Sequence, residues 1–475
     1  MGQYPAQNPP ERSKIPATGM RGMPPGMMRG RDWTQGSIFK NLLLLSWPMA
    51  VTNTLMMLGP TIDMIWVGKL GSGSIAGVGV AGTAVQLVMG AMMGLTAGMR
   101  ALIARFIGAK DIDSANRTAQ QASVVTAIYA ILMAVIGVFF SKQIVAMVGV
   151  KPEVVEAGAA YLRINFIGSA PMAFRMMMDS IMQASGDAMN PMKISIIYRA
   201  VHIVLCPFLV FGWWIFPELG VSGAAWTAVI SQTIGVLLGI NIMFGNRSRL
   251  KLSIRGFRFD FDIIWRIVRI GFPALISGIQ RTLQQFILML FMAPFGTIAV
   301  ASHTISQRIE MFLFMPAMAL GMGAGVLVGQ NLGANQVERA EKSAWLATAL
   351  VEAVAAICCV VILIWPSPIV SIFNSEPDLV KTATEYLFIA LPGFALVGFM
   401  MVLMNAIQGA GDTVPMMVIS IVTTWLITIP FAFFLPRWTD WGVYGVRWAM
   451  TASMLIGAVA NIIYFRTGRW KTKSV

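Results

Sequence analysis

Asp63 stands inside the apolar run "LGPTIDMIWVG", three residues after Pro60. A charged side chain at the centre of a membrane helix costs about 2.5–3.5 kcal/mol on insertion scales, so it has either a partner or a task. Pro60 cannot donate a backbone hydrogen bond and leaves a carbonyl unpaired nearby. Burial favours the uncharged form of a carboxyl, so one placed here could take up and release a proton as its surroundings change. The plain alternative is a hydrated carboxylate at a helix end. Arg175 and Asp179 are four apart and share one helical face. They could form an ion pair within a helix bundle, or line a cavity. Asn53 lies ten residues before Asp63 and could face the same space. Among 36 methionines, Met56, Met57, Met177 and Met178 could offer that cavity a polarisable surface; lipid or core contact is the simpler role for the rest.

These residues sit in helices that cross a bilayer. The chain has 475 residues, 57% hydrophobic and only 12% charged, too apolar for a soluble surface. Apolar runs of about 20 residues recur along it, each long enough to span roughly 30 Å of hydrocarbon. Lipid demands internal partners for every backbone amide, and continuous runs satisfy that as helices; a barrel would show shorter alternating segments. Twelve spans are expected, near 41–67, 74–99, 118–140, 155–181, 193–214, 220–244, 267–292, 298–325, 342–365, 380–406, 415–435 and 442–465. The net charge of +14 does not point to nucleic acid, because the basic residues lie in short patches between spans. One set of loops holds only Lys69, Lys142, Lys151, Lys381 and Arg437, whereas the tails and the opposite loops are rich in Lys and Arg. The positive-inside rule then places both termini in the cytoplasm of a multi-pass inner-membrane protein. Trp213, Trp214, Trp365, Trp438 and Trp441 mark the outer ends as interfacial anchors. Cys206, Cys358 and Cys359 lie in apolar runs without metal spacing, so neither a disulfide framework nor a metal site is expected.

The chain repeats itself. "MQASGDAMNPM" (182–192) returns as "IQGAGDTVPMM" (407–417), with Gly186 and Asp187 matching Gly411 and Asp412 at an offset of 225. Pro48 matches Pro273, Gly71 Gly296, Pro152 Pro377 and Tyr161 Tyr386 at the same offset, as do "IGAKDIDSANRTA" (107–119) and "LGANQVERAEKSA" (332–344). Six spans per copy is an even number, so both copies enter from one side. Two six-helix lobes should be related by a pseudo-two-fold axis along the membrane normal, with a cavity near their interface. The expected division is a disordered tail over 1–37, an N-lobe over 38–244, a basic cytoplasmic linker over 245–266, a C-lobe over 267–465 and a cytoplasmic tail over 466–475. An interfacial amphipathic helix in the second half of the linker is a further possibility. The Gly- and Ala-rich span 71–98 is suited to close backbone packing.

"GPTIDMIWVGKLGSGSIAGVGVAGT", "LVGQNLGA" and the two GD motifs, in this order and duplicated, resemble the multidrug and toxic compound extrusion (MATE) transporters over about residues 38–465. The resemblance implies a secondary antiporter that expels cationic or amphipathic drugs in exchange for protons or sodium ions, with no cofactor beyond that coupling ion. It also implies a coupling role for Asp63, since a branch of prokaryotic members uses an aspartate at this place. That branch commonly carries N-x-x-x-D-P in span five. Here the stretch reads "HIVLCP", so His202 and Cys206 occupy the Asn and Asp places. A histidine beside Asp63 changes charge near neutral pH and could share the coupling; a core histidine with one hydrogen bond is the alternative. Cys206 could line the cavity or simply pack. Another branch has a glutamate eight residues after the span-seven proline, where this chain has Arg281. Arg281 could pair with Glu310 of span eight, near Arg308. The departure speaks against a sodium site of that type.

Two rival readings stand beside drug export by a monomeric antiporter. A lipid-linked oligosaccharide flippase would need a cavity lined by cations, for which Arg175, Arg199, Arg281 and Arg308 are available. A membrane-embedded enzyme lacks a nucleophile–base pair or metal cluster to build on, and no GxxxxGK[ST] phosphate loop supports an ATP-driven pump.

Overall fold

The structure is a computed structural model that describes residues 31–70, 72–147, 152–245, 248–250 and 257–473. Every expected span falls on helix. In the first half these are α1 (Ile38–Val67), α2 (Ser72–Gly108), α3 (Ile112–Ala146), α4 (Pro152–Ile167), α5 (Ser169–Ala184), α6 (Met189–Phe211) and α7 (Val221–Phe244). The second half runs α8 (Phe261–Met292), α9 (Thr297–Gly333), α10 (Val337–Ile364), the short α11 (Pro366–Ser371), α12 (Pro377–Phe394), α13 (Val397–Gly409), α14 (Val414–Ile421), α15 (Ile429–Trp438) and α16 (Val443–Arg466). Span four breaks at Gly168, between α4 and α5. Span ten bends by 50° between α12 and α13. Span eleven joins α14 to α15 through a π-helical segment, Val422–Thr428. Among the described residues nine helices are long and apolar enough to cross a membrane, ten when the bent pair is one span. Of the rest, α4 and α5 are too short singly, and α8 interrupts its apolar run with Gln280, Arg281, Gln284 and Gln285. The possible interfacial helix of the linker is instead the start of α8, capped by the Asp260 side chain; residues 246–247 and 251–256 lie outside the described residues.

The duplication is written into the backbone. Gly186 and Gly411 take positive φ, +91° and +88°, which glycine adopts without steric cost. Lys110 and Asn335, also 225 apart, close α2 and α9 at φ 60° and 58°. Asp187 accepts hydrogen bonds from the Asn190 backbone and side chain, at 3.1 and 2.6 Å, and so fastens the turn into α6. Burial raises the Asp187 carboxyl above its ordinary range, while the Asn190 bonds pull the other way. Asp412 accepts from the Tyr464 hydroxyl and lies 3.2 Å from the Lys473 ammonium. The expected disorder of the tail does not extend through residue 37. Trp33 is buried against the Gly186 turn, and Asn41 donates to the carbonyls of Trp33 and Gln35. Residues 1–30 lie outside the described residues.

Helices α1, α2, α8 and α9 carry contacts between the lobes. Gly90 approaches Gly278, Gly94 approaches Leu275, Gly98 approaches Gly271, and Gly108 meets Gln330. Gln330 donates to the Ala184 carbonyl at 2.7 Å and Arg105 to the Ala410 carbonyl at 3.1 Å. Small residues at three- and four-residue spacing let backbones touch where lipid gives no hydrophobic drive. Helix α1 belongs to both lobes. Its first half, Leu42, Leu45 and Met49, packs in the C-lobe core, while Val67 at its far end packs in the N-lobe core. The sequence division that gave α1 wholly to the N-lobe misses this, because apolar periodicity does not say which core a face joins.

A Cβ on Gly94 would lie 2.1 Å from the Leu275 backbone nitrogen, whereas one on Gly82 would meet nothing within 4 Å. Gly94→Val is therefore expected to destabilise the purified protein by about 1–3 kcal/mol, the usual range for overpacking. Gly82→Ala should leave the thermal midpoint unchanged. Equal midpoints for the two variants would show that the α2–α8 contact does not carry the lobe interface.

Candidate ion-coupling site

Helix α6 brings four polar side chains into the N-lobe interior: Tyr198, Arg199, His202 and Cys206, all buried. Their spacing of one, three and four residues puts them on adjoining faces of one helix. The far half of α1 presents Asp63 to them. Its Oδ1 lies 2.9 Å from Nε2 of His202 and 3.8 Å from Sγ of Cys206. On the other side of the imidazole, Nδ1 lies 3.4 Å from Oγ of Ser231 in α7. Tyr161 of α4 is close enough to interact with the same carboxyl. Asp63 is 4% exposed and His202 2%. Asp63 thus has a partner, His202, whose charge depends on its protonation. A neutral imidazole donating to a carboxylate, and an imidazolium paired with it, differ by one proton taken up at the second ring nitrogen, beside the Ser231 hydroxyl.

The donor atoms of Asp63, His202 and Cys206 lie within 4.8 Å of one another. This is a carboxylate–imidazole–thiol set that one transition-metal ion could bridge. The hydrogen bond already satisfies two of the three donors.

The other expected site residues divide. Arg175 and Asp179 form a buried ion pair, and Arg175 Nε also donates to Gln232. The ion-pair alternative therefore accounts for them, and as a cavity lining they are turned inward among α5, α6 and α7. Cys206 is fully buried beside Asp63. Asn53 and Met56 are half-buried on α1. Asn53 Nδ2 reaches Sδ of Met322 on α9 at 3.4 Å, across the lobe boundary.

Met56 contributes its backbone rather than its side chain. Pro60 supplies no N–H for the Met56 carbonyl, and Arg199 Nη2 donates to that oxygen at 3.3 Å. The guanidinium reaches it because Gly59 leaves room; a Cβ there would fall 2.5 Å from Nη1. Arg199 thus holds α1 against α6 one turn before Asp63. An arginine inside span five and a proline inside span one were both visible in the sequence, but nothing in their spacing joined them.

In the C-lobe the expected Arg281–Glu310 pair is not formed. Glu310 instead pairs with Arg447 of α16, whose Nη1 lies 3.1 Å from Nδ1 of His303. The same guanidinium contacts the Tyr386 carbonyl and ring. Helix α16 packs against α12 and brings Arg447 to the acid from 137 residues away, leaving Arg281 without it.

The bundle is a polytopic, all-helical membrane fold with a buried acid, Asp63, in one lobe and Leu288 at the corresponding place of the other. Two stretches, residues 48–208 and 273–434, match the MatE family model, and they begin at the duplicated Pro48 and Pro273. The chain belongs to the MatE family. It is 25% identical over 444 residues to "Probable multidrug resistance protein YoeA" of Bacillus subtilis (strain 168), covering 92% of this chain and 96% of that protein. Its fold superposes with a TM-score of 0.87 on the structure described as "Crystal structure of MATE in the bent conformation", at 22% identity, over 94% of this chain and 98% of that one. A MOP superfamily transporter from Pyrococcus furiosus, described with the words "Reverse polarity of binding pocket suggests different function", superposes with a TM-score of 0.85 at 23% identity, over 95% and 100% of the two chains.

Arg199→Met should cost about 1–3 kcal/mol of stability, the penalty of an unsatisfied buried carbonyl. In a Pro60→Ala background, which restores the helical N–H to Met56, the same substitution should cost measurably less. Additive costs in thermal unfolding of the two single variants and the double variant would refute the link between Arg199 and the proline-freed carbonyl.

Proposed function

We propose that this protein is a proton-coupled exporter of amphipathic organic compounds, working by alternating access in the inner membrane with both termini in the cytoplasm. The observation that carries this reading is the buried Asp63–His202 contact at 2.9 Å, on a helix that belongs to both lobe cores. With the termini inside, the glycine contacts between the lobes lie toward the cytoplasm. A proton entering from outside meets the pair, neutralises Asp63 or charges His202, and changes how the far half of α1 is held in the N-lobe. Pro48 and Pro60 are the places where α1 can bend. The first half of α1 sits in the C-lobe core, so a change at Asp63 is transmitted to the lobe interface through one continuous helix.

Proton rather than sodium coupling is supported by the donor set. Imidazole and thiol are poor partners for a hard cation that prefers carboxylate, carbonyl and water oxygens, whereas a carboxylate–imidazole pair moves a proton over 2.9 Å without rearrangement. The energetics suffice where the exchange moves net charge; for one monovalent cation per proton only the pH gradient contributes. One charge crossing 100 mV supplies about 2.3 kcal/mol, and a tenfold solute gradient requires about 1.4 kcal/mol. The flippase reading is weakened, because Arg175 and Arg199, two of the four cations it needs, are committed within the N-lobe.

In proteoliposomes under an imposed pH gradient, Asp63→Asn should lose at least tenfold in gradient-driven transport of every compound the native protein carries, tested with amphipathic dyes of both charges. His202→Gln should retain transport but change its pH dependence. Undiminished gradient-driven transport by Asp63→Asn would overturn proton coupling at this site.

A further inference from the structure

The duplicated turns at Gly186 and Gly411 are each held from the opposite lobe, and by matching residues. Arg105 of α2 donates to the Ala410 carbonyl at 3.1 Å, and Gln330 of α9, 225 residues on, donates to the Ala184 carbonyl at 2.7 Å. The helices that carry them meet backbone to backbone. A Cβ on Gly108 would fall 1.9 Å from the Gln330 carbonyl oxygen, and one on Gly333, its mate, 2.0 Å from that of Arg105. The two donors are not equal, however. Arg105 Nη2 makes a second bond, at 2.9 Å, to the carbonyl of Lys473, beyond the end of α16.

The segment that carries Lys473 is rooted in the C-lobe. Gly468 turns the chain after α16 at φ +70°, and Arg469–Thr472 form one short helical turn. Trp470 is fully buried there. Its ring stacks on Phe465 at 4.7 Å and its indole donates to the Phe465 carbonyl at 2.9 Å. Lys471 Nζ lies 2.6 Å from Glu341 of α10, and Lys473 Nζ 3.2 Å from Asp412 of the C-lobe turn. These partners all belong to the C-lobe, whereas the Lys473 carbonyl is held by Arg105 of the N-lobe. The anchors differ in kind. Trp470 is fixed by apolar packing, while the Lys471 and Lys473 side chains are 26% and 45% exposed. Ion pairs that stand partly in solvent are weak and are screened by salt.

We infer that residues 468–473 are a clasp across the lobe junction, rooted in the C-lobe by Trp470 and holding the N-lobe through Arg105, which lets go when the lobes part at this end. The inference rests on the alternating-access reading, since only a protein that opens here has to release it. Opening breaks the Arg105–Ala410 and Gln330–Ala184 bonds in any case. The clasp adds one further bond, on one side only, that exists when the lobes are together and not when they are apart. A contact made in one of two states shifts the balance toward that state. One hydrogen bond from a guanidinium shifts it several-fold without freezing it. Loosening the lysine pairs frees the carbonyl that Arg105 holds, so the tail can tune how readily this end opens.

The test is a distance measurement between the lobes by double electron–electron resonance on the reconstituted full chain. It needs no substrate and no ion gradient, and so separates the clasp from coupling at Asp63. Nitroxide labels go on Asp113→Cys and Glu338→Cys, exposed matching positions in the first turns of α3 and α10, with Cys358→Ala and Cys359→Ala; Cys206 is fully buried. Arg105→Gln places at 105 the residue the chain itself uses at 330, which suffices for one bond to the opposite turn but not for two. Lys471→Ala/Lys473→Ala loosens the clasp at exposed side chains and leaves Trp470 in place. Each variant should raise the population at longer distance by about threefold or more, the size expected from losing one hydrogen bond, with a thermal midpoint close to that of the labelled native protein. A distance distribution unchanged from native in either variant would overturn the clasp, whether or not Asp63 couples transport to protons.

Discussion

A charge inside a bilayer must be answered by a partner, by water or by a ligand, and the interior of this protein is organised around how each of its charges is answered. Arg175 answers Asp179 and Arg447 answers Glu310, both as buried pairs within one lobe. Arg199 answers no acid but a carbonyl that Pro60 leaves unpaired. Asp63 is answered by a group that can itself be neutral, His202. Breaking a fixed buried pair leaves an isolated charge and is strongly destabilising, so the first two pairs act as struts. The Asp63–His202 pair can change its proton content while keeping its hydrogen bond, which is what a coupling element requires.

The lobes share the helix on which that pair sits. Glycines bring α2 against α8 and α9 along one half of the molecule, and the helix that carries Asp63 crosses from one hydrophobic core into the other. The two halves of α1 are held by different lobes, and Pro60 removes a helical hydrogen bond between the anchor points, while Pro48 lies within the C-lobe anchor. In the proposed cycle a local event at the far half of α1 would act on the relative position of the lobes, not only on its own neighbourhood. The duplicated turns at Gly186 and Gly411 and the duplicated helix ends at Lys110 and Asn335 give the two lobes the same local backbone geometry.

The framework was readable from the chain alone because it is encoded locally and twice. A constant offset of 225 residues, a glycine at both duplicated turns, Gly186 and Gly411, and runs long enough to span lipid mark the helices and their repetition without reference to contacts. Asp63 was readable for the same reason, as a local anomaly. Its relation to His202 came through resemblance, and the structure places the two in contact. What could not be read depends on which distant side chain wins a shared partner. Glu310 could be assigned to Arg281 or to Arg447 with equal chemical sense, and only the docking of α16 decides for Arg447. Ser231 behind the imidazole and Arg199 on the Met56 carbonyl carry no sequence signature at all, since a serine in an apolar helix is common and a freed carbonyl is invisible in a one-dimensional pattern. The ordered stretch 31–37 was missed because its composition resembles that of the preceding residues, and only the pocket at Gly186 gives Trp33 somewhere to pack.

The central claim, that a proton is gained and lost at the Asp63–His202 contact inside the folded protein, is tested most directly by infrared difference spectroscopy of the membrane-reconstituted protein between acidic and alkaline pH. The account predicts a carboxyl or imidazole band pair in the native spectrum that is missing from Asp63→Asn and altered in His202→Gln, with the other bands retained. Identical difference spectra for native protein and Asp63→Asn would contradict it.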